Sequence, residues 1–68
     1  MRDIAIRGDM IRLGQLLKLA GIVDSGGELK ALLADTDVLV NGEPEDRRGR
    51  QLHRGDVVRL GEEELRVA

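Results

Sequence analysis

The chain has 68 residues, no cysteine and no Phe, Tyr or Trp, and its 11 basic against 13 acidic side chains leave a net charge of −2. That composition excludes disulfides and thiolate metal sites, and no apolar run approaches the ~20 residues a membrane helix needs. A single small domain over residues 1–68 is expected, soluble and cytoplasmic, with no signal peptide at Met1-Arg2-Asp3-Ile4.

In chain order, Ile4 and Ile6 alternate with polar neighbours and predict a short strand over Arg2 to Ile6. Gly8-Asp9 breaks it, with Asp9 placed to cap a helix. From Arg12 to Ala20, residues Leu13, Leu16, Leu17 and Ala20 recur at i, i+3, i+4 and i+7, one apolar face of an amphipathic helix. Gly21 follows where a left-handed C-cap is expected. Ser25 and Glu28 have capping-box spacing and start a second helix that buries Leu29, Leu32 and Leu33. That helix should end near Asp35-Thr36-Asp37. Val38 and Val40 then lead into Asn41-Gly42, the strongest short hairpin signal, because a type I′ turn needs positive φ at both positions. Pro44 marks the returning strand as short or an edge.

Gly55-Asp56 and Gly61-Glu62 are turns that bracket Val57, Val58 and Leu60, and Leu65 with Val67 alternate to the end. The fold class is therefore α+β, with two helices against a small, mostly antiparallel sheet of short strands. The expected core is Ile4, Ile6, Leu13, Leu16, Leu17, Ile22, Leu29, Leu32, Leu33, Val38, Val40, Leu52, Val57, Leu60, Leu65 and Val67.

Enzyme chemistry finds little support. His53 is the only histidine, and one imidazole among arginines cannot make a metal site. Ser25 is explained as a cap rather than a nucleophile. The carboxylates Asp35, Asp37, Glu45, Asp46 and Glu62 to Glu64 read as solvated turns and edges, because a chain this short has little room for the cleft that acid–base work requires. Gly26-Gly27 at a helix start lacks the lysine and hydroxyl residue of a phosphate-binding loop. No cofactor, metal or small-molecule substrate is expected.

Charge is unevenly placed. Residues 19–46 hold Lys30 against seven acids, whereas residues 47–54 hold Arg47, Arg48, Arg50 and Arg54 with no acid. A solvated loop is one reading of such a run. A loop needing only solubility would mix signs, and guanidinium groups grip phosphates with paired hydrogen bonds. Arg12, Gln15 and Lys18 add an outward polar face on the first helix, and Lys30 stands near the start of the second.

The stretches Ile11-Arg12-Leu13-Gly14-Gln15-Leu16-Leu17-Lys18, Ser25-Gly26-Gly27-Glu28-Leu29-Lys30 and Val38-Leu39-Val40-Asn41-Gly42 together resemble the S-four RNA-binding domain, or αL motif. Arg47-Arg48-Gly49-Arg50 and Gly55-Asp56-Val57-Val58 resemble its closing segment. Five pieces in order cover nearly the whole chain, closest to short stand-alone bacterial members. The resemblance implies two helices packed on a small sheet, with RNA held along the helices and the hairpin side. It implies RNA contacts at Arg12, Lys18, Lys30, Arg47, Arg48 and Arg50, and Arg54 joins them from the charge run. In relatives fused to enzymes the module holds RNA and another domain does the catalysis. The chain departs from the pattern at Asp35-Thr36-Asp37 (often a glycine turn), at Leu29 (alanine expected), at Gly26 (often arginine) and in its acidic hairpin, Glu43, Glu45 and Asp46. These departures bear on affinity and RNA type.

The reading is non-catalytic binding of structured RNA, ribosomal or transfer RNA being the classes in view, with ribosomal components as partners and no membrane. Lacking aromatic rings to stack bases, the chain should read phosphates, 2′-hydroxyls and shape. Arg47, Arg48 and Arg50 should supply the main grip, and their replacement by alanine should leave the fold unchanged. The alternative is a protein-interaction module whose Arg47–Arg54 loop docks an acidic partner.

Overall fold

In the computed structural model, which describes residues 1–35 and 37–68, the first strand β1 (Arg2–Ile4) is followed by a two-residue strand β2 (Ile11–Arg12) that runs directly into helix α1 (Leu13–Leu19). Helix α2 (Gly26–Asp35) comes next, and then the strands β3 (Val38–Val40), β4 (Glu43–Pro44), β5 (Gln51–Leu52), β6 (Val57–Leu60) and β7 (Glu63–Val67). Five strands form one sheet in the order β1-β7-β6-β3-β4, while β2 and β5 pair apart as a two-stranded ribbon. Only the β1–β7 pairing is parallel among the described ladders. The α+β class and the mostly antiparallel sheet are as the sequence predicts.

The helix punctuation follows local chemistry. Gly21 has φ +77. Its amide donates to the Lys18 carbonyl and the Ile22 amide to the Leu17 carbonyl, the paired bonds that close a helix through a left-handed residue. At the start of α2 the Glu28 amide donates to Ser25 Oγ at 3.2 Å, as the capping spacing predicts. Glu28 Oε2 in return accepts from the amide of Asp24 at 3.3 Å, one residue earlier than a standard reciprocal cap. Helix α2 ends at Asp35; Thr36, part of the predicted stop, lies outside the described residues.

Asn41 and Gly42 both have positive φ, 52 and 84, and Val40 pairs with Glu43 across them, so the two-residue hairpin forms as predicted. The Asn41 side chain also fastens this turn to β6. Its Oδ1 accepts from the Val57 amide at 2.9 Å, and its Nδ2 donates to Asp56 Oδ1 at 3.1 Å. Pro44 sits in β4, two residues long at the sheet edge, where a missing amide donor costs no ladder bond.

One apolar cluster fills the space between the helices and the sheet. Leu13, Leu16, Leu17, Leu29, Leu52 and Leu65 are fully enclosed, each contributing roughly 2 kcal/mol of transfer free energy. Several expectations need correction. Ile6, Leu32 and Leu33, expected in the core, are only half-buried and pack against it from outside. Val57 is only half-buried while Val58 is enclosed, because the register Val58 to Leu65 and Leu60 to Glu63 turns the even-numbered residues of β6 inward. Val23 rather than Ile22 enters the core fully. Asp9 caps nothing, since β2 intervenes and α1 begins only at Leu13.

Candidate nucleic-acid interface

The first two amides of a helix must find acceptors, and α1 meets this need through the distant arginine loop. The Leu13 amide donates to the Arg50 carbonyl at 2.8 Å and the Gly14 amide to the Arg48 carbonyl at 2.9 Å. The Gln15 side chain meets the chain from the other direction, its Oε1 accepting from the Arg12 amide at 3.0 Å. Pairing of Ile11 with Leu52 and Arg12 with Gln51 holds the loop in register. Residues 47–50, which the sequence reading takes as the main RNA-gripping arginine run, are therefore fixed against the front of α1.

Gly14 permits the close approach. A Cβ at this position would lie 2.7 Å from Leu29 Cδ2 and 3.4 Å from the Arg48 carbonyl oxygen. Sequence reasoning passed over this residue, although a glycine inside an apolar helical pattern was the available signal. The bare backbone at Gly14 lets α1 and α2 meet at Leu29, with the loop in ordinary contact beside them.

Glu45 is the larger correction. The sequence reading placed it on a solvated edge, yet it is the one buried charged residue among those described, 8% exposed. Its Oε2 accepts from Arg47 Nε at 2.9 Å and from the Arg47 amide at 3.1 Å, and its Oε1 from Arg47 Nη2 at 3.1 Å and Arg50 Nη1 at 2.9 Å. The Arg47 side-chain bonds, then the Arg50 bond, hold its carboxyl down at about 2 from an ordinary 4.5, against burial, which pushes it up. The arginine run is thus internally neutralised in part. Its spacing, an acid two and five residues ahead of two arginines, was visible but gave no sign of burial.

The predicted site residues fall into distinct places. Arg48 and Lys30 line one cavity of about 420 Å³ with Leu33, Ala34 and Asp46. The Arg48 guanidinium nitrogens lie 3.8 and 4.0 Å from where a Gly26 Cβ would be, at the start of α2. Arg47 and Arg50 share Glu45 and line a second cavity with Gly49, Gln51 and His53. Arg12 is exposed beside Gln51 through the β2–β5 pairing, and Lys18 is exposed on α1 one turn beyond Gly14. Arg54 is elsewhere: its guanidinium donates to the Ile6 carbonyl at 3.1 Å and ties down the chain after β1. His53 is exposed; its backbone amide donates to Asp56 Oδ2 at 2.8 Å.

Two helices seated on a small antiparallel sheet, with a cationic loop clamped across both, define a compact module that presents basic side chains on fixed backbone. The S4 domain family model matches residues 4–68, and the chain belongs to this family of RNA-binding modules. It is also 54% identical over 57 residues, 84% of this chain and 80% of the relative, to a probable ribosome maturation protein RlbA of Bacillus subtilis (strain 168). Among the described residues, no helix is long and apolar enough to cross a membrane.

Proposed function

We propose that residues 1–68 act as one non-catalytic module that binds structured RNA in the cytoplasm, in the assembly or maturation of ribosomal particles. The carrying observation is the Arg48 guanidinium beside the start of α2, on a cavity that Lys30 also lines. A helix start carries partial positive charge, so the Arg48 guanidinium beside it, with Lys30 on the same cavity against the single acid Asp46, builds a positive potential that a phosphate satisfies. The backbone bonds from Leu13 and Gly14 to the loop fix that arrangement before any partner arrives. Membership of the S4 domain family supports RNA as the polyanion. The name of the Bacillus subtilis relative supports a ribosomal setting, with rRNA and ribosomal components as partners.

The absence of Phe, Tyr and Trp bears on which RNA is held. Single-strand readers stack bases on aromatic rings, at ~1–3 kcal/mol per base. Lacking them, this surface reads phosphates and 2′-hydroxyls displayed in fixed geometry. A stable RNA hairpin should therefore outcompete a length-matched polyuridine at fixed salt. Equal competition by polyuridine would mean that shape is not read. An acidic protein partner is the other outcome to watch for: it would be retained on the immobilised protein after ribonuclease treatment, whereas RNA would not.

A further inference from the structure

We propose that Glu45 is a positioning residue for RNA binding, holding Arg47 and Arg50 in place so that the loop meets a phosphate backbone already formed; this rests on the RNA-binding reading above. The arrangement is hard to explain as solubility. A carboxylate that is 8% exposed has lost most of its water, and among the described residues its hydrogen bonds come from the two arginines and the Arg47 amide. Breaking those bonds would strand a buried charge, which is far costlier than losing an exposed pair. Phosphate therefore does not displace Glu45. It must approach the donors that Glu45 leaves free.

Those donors are defined by the geometry. Arg47 spends Nε and Nη2 on Glu45 and keeps Nη1, and its side chain is 73% exposed. Arg50 spends Nη1 and keeps Nε and Nη2, with its side chain one-third exposed. Each guanidinium is thus held on Glu45 by some of its nitrogens and, among the described residues, has others unbonded on a partly exposed side chain. Glu45 itself is anchored, because its amide donates to the Val38 carbonyl at 2.8 Å, at the beginning of β3. The chain of restraint runs from the sheet through Glu45 to the two guanidiniums, and from the loop carbonyls of Arg48 and Arg50 to α1. The loop is thus held from both sides, its guanidiniums on Glu45 and its carbonyls on α1. Arg47, Arg48 and Arg50 stand within four residues and repel one another, and an unrestrained loop would splay them. Ordering them in advance removes a cost that binding would otherwise bear.

The test turns on a sign. By charge alone, removing an acid from a phosphate-binding surface tightens RNA binding. Positioning predicts the reverse. In titrations of a stable RNA hairpin at fixed salt, Glu45→Gln should bind roughly tenfold more weakly than wild type, as expected when two arginine side chains must be ordered anew. A chain that carries Arg47→Ala and Arg50→Ala leaves Glu45 without its ion-pair partners, so its affinity is compared at a temperature where circular dichroism shows it folded. In that background Glu45→Gln should cause no further loss of affinity, because its effect runs through those residues.

Circular dichroism on the same samples reports whether each variant is folded. Glu45→Asp preserves the charge and shortens the reach by one methylene, so it decides the question if the glutamine variant fails to fold. A smaller loss of affinity with an intact spectrum is expected there, and unchanged affinity would overturn the proposal. Binding by a folded Glu45→Gln as tight as wild type, or tighter, would also overturn it. A wild-type protein that binds no RNA hairpin would instead remove the functional reading, and this inference with it.

Discussion

Of the glycines, Gly14 is the one at which an added side chain would meet an atom closer than 3 Å. In an ordinary exposed helix, replacing glycine by alanine gains ~1 kcal/mol of helix propensity. Here the added Cβ would sit 2.7 Å from Leu29 Cδ2, and Leu29 is fully enclosed, so its side chain must be displaced within the core. Overpacking of this kind costs about 1–3 kcal/mol. Gly14→Ala should therefore lower the urea midpoint despite its better propensity. An unchanged or raised midpoint would show that Leu29 and the loop can shift aside. The Arg48 carbonyl lies 3.4 Å from the same point, an ordinary contact distance, so the strain falls on Leu29 and the core rather than on the arginine loop.

Among the elements, the segment from β4 to β5 is held by charge as much as by packing. Glu45 has its carboxyl lowered to about 2 by its bonds to Arg47 and Arg50. A depressed acid stabilises the fold fully above its ordinary value of 4.5 and loses that contribution as pH falls from there through about 2. Asp3 is lowered mainly by its hydrogen bond to Arg66. At Asp56 burial raises the carboxyl, but the His53 amide and the Asn41 side chain outweigh it and leave it lowered. All three acids push the same way, so stability should decline on acidification below about pH 4.5. Urea midpoints for wild type and Glu45→Gln, measured from neutral pH downward, should converge as the pH nears 2. A gap that stays constant with pH would mean that the ionised carboxylate is not what stabilises the segment.

Across the whole molecule, a net charge of −2 coexists with a basic surface because the fold sorts its charges. The structure changes how that surface should be dissected. Replacing Arg47, Arg48 and Arg50 together would leave the buried Glu45 carboxylate without its partners, so that triple variant confounds binding with stability. Arg48 and Lys30 have no ion pair among the described residues. If about four cations neutralise phosphates, log affinity should fall against log salt with a slope on the order of −3. Arg48→Ala with Lys30→Ala should make that slope shallower by about 2 and leave the circular dichroism spectrum unchanged. A slope that does not move would place the RNA elsewhere on the molecule.

Local rules determined much of this protein. The leucine spacing of α1, Gly21 past its end, the Ser25 cap and the Asn41-Gly42 turn all depend on residues within one or two turns of each other, and all stand as the sequence predicts. The motifs also carried the family, since turn and helix residues recur in fixed order. Tertiary structure alone decided that Val58 faces inward and Val57 does not, because the register of β6 against β7 sets the face. It alone decided that residues 48 and 50 cap a helix more than thirty positions earlier. It alone buried Glu45, since an acid beside arginines reads the same in sequence whether it is solvated or enclosed. The division follows the range of the interactions: capping, turn geometry and periodicity act over a few residues, while burial and charge pairing depend on which distant segments the fold brings into contact.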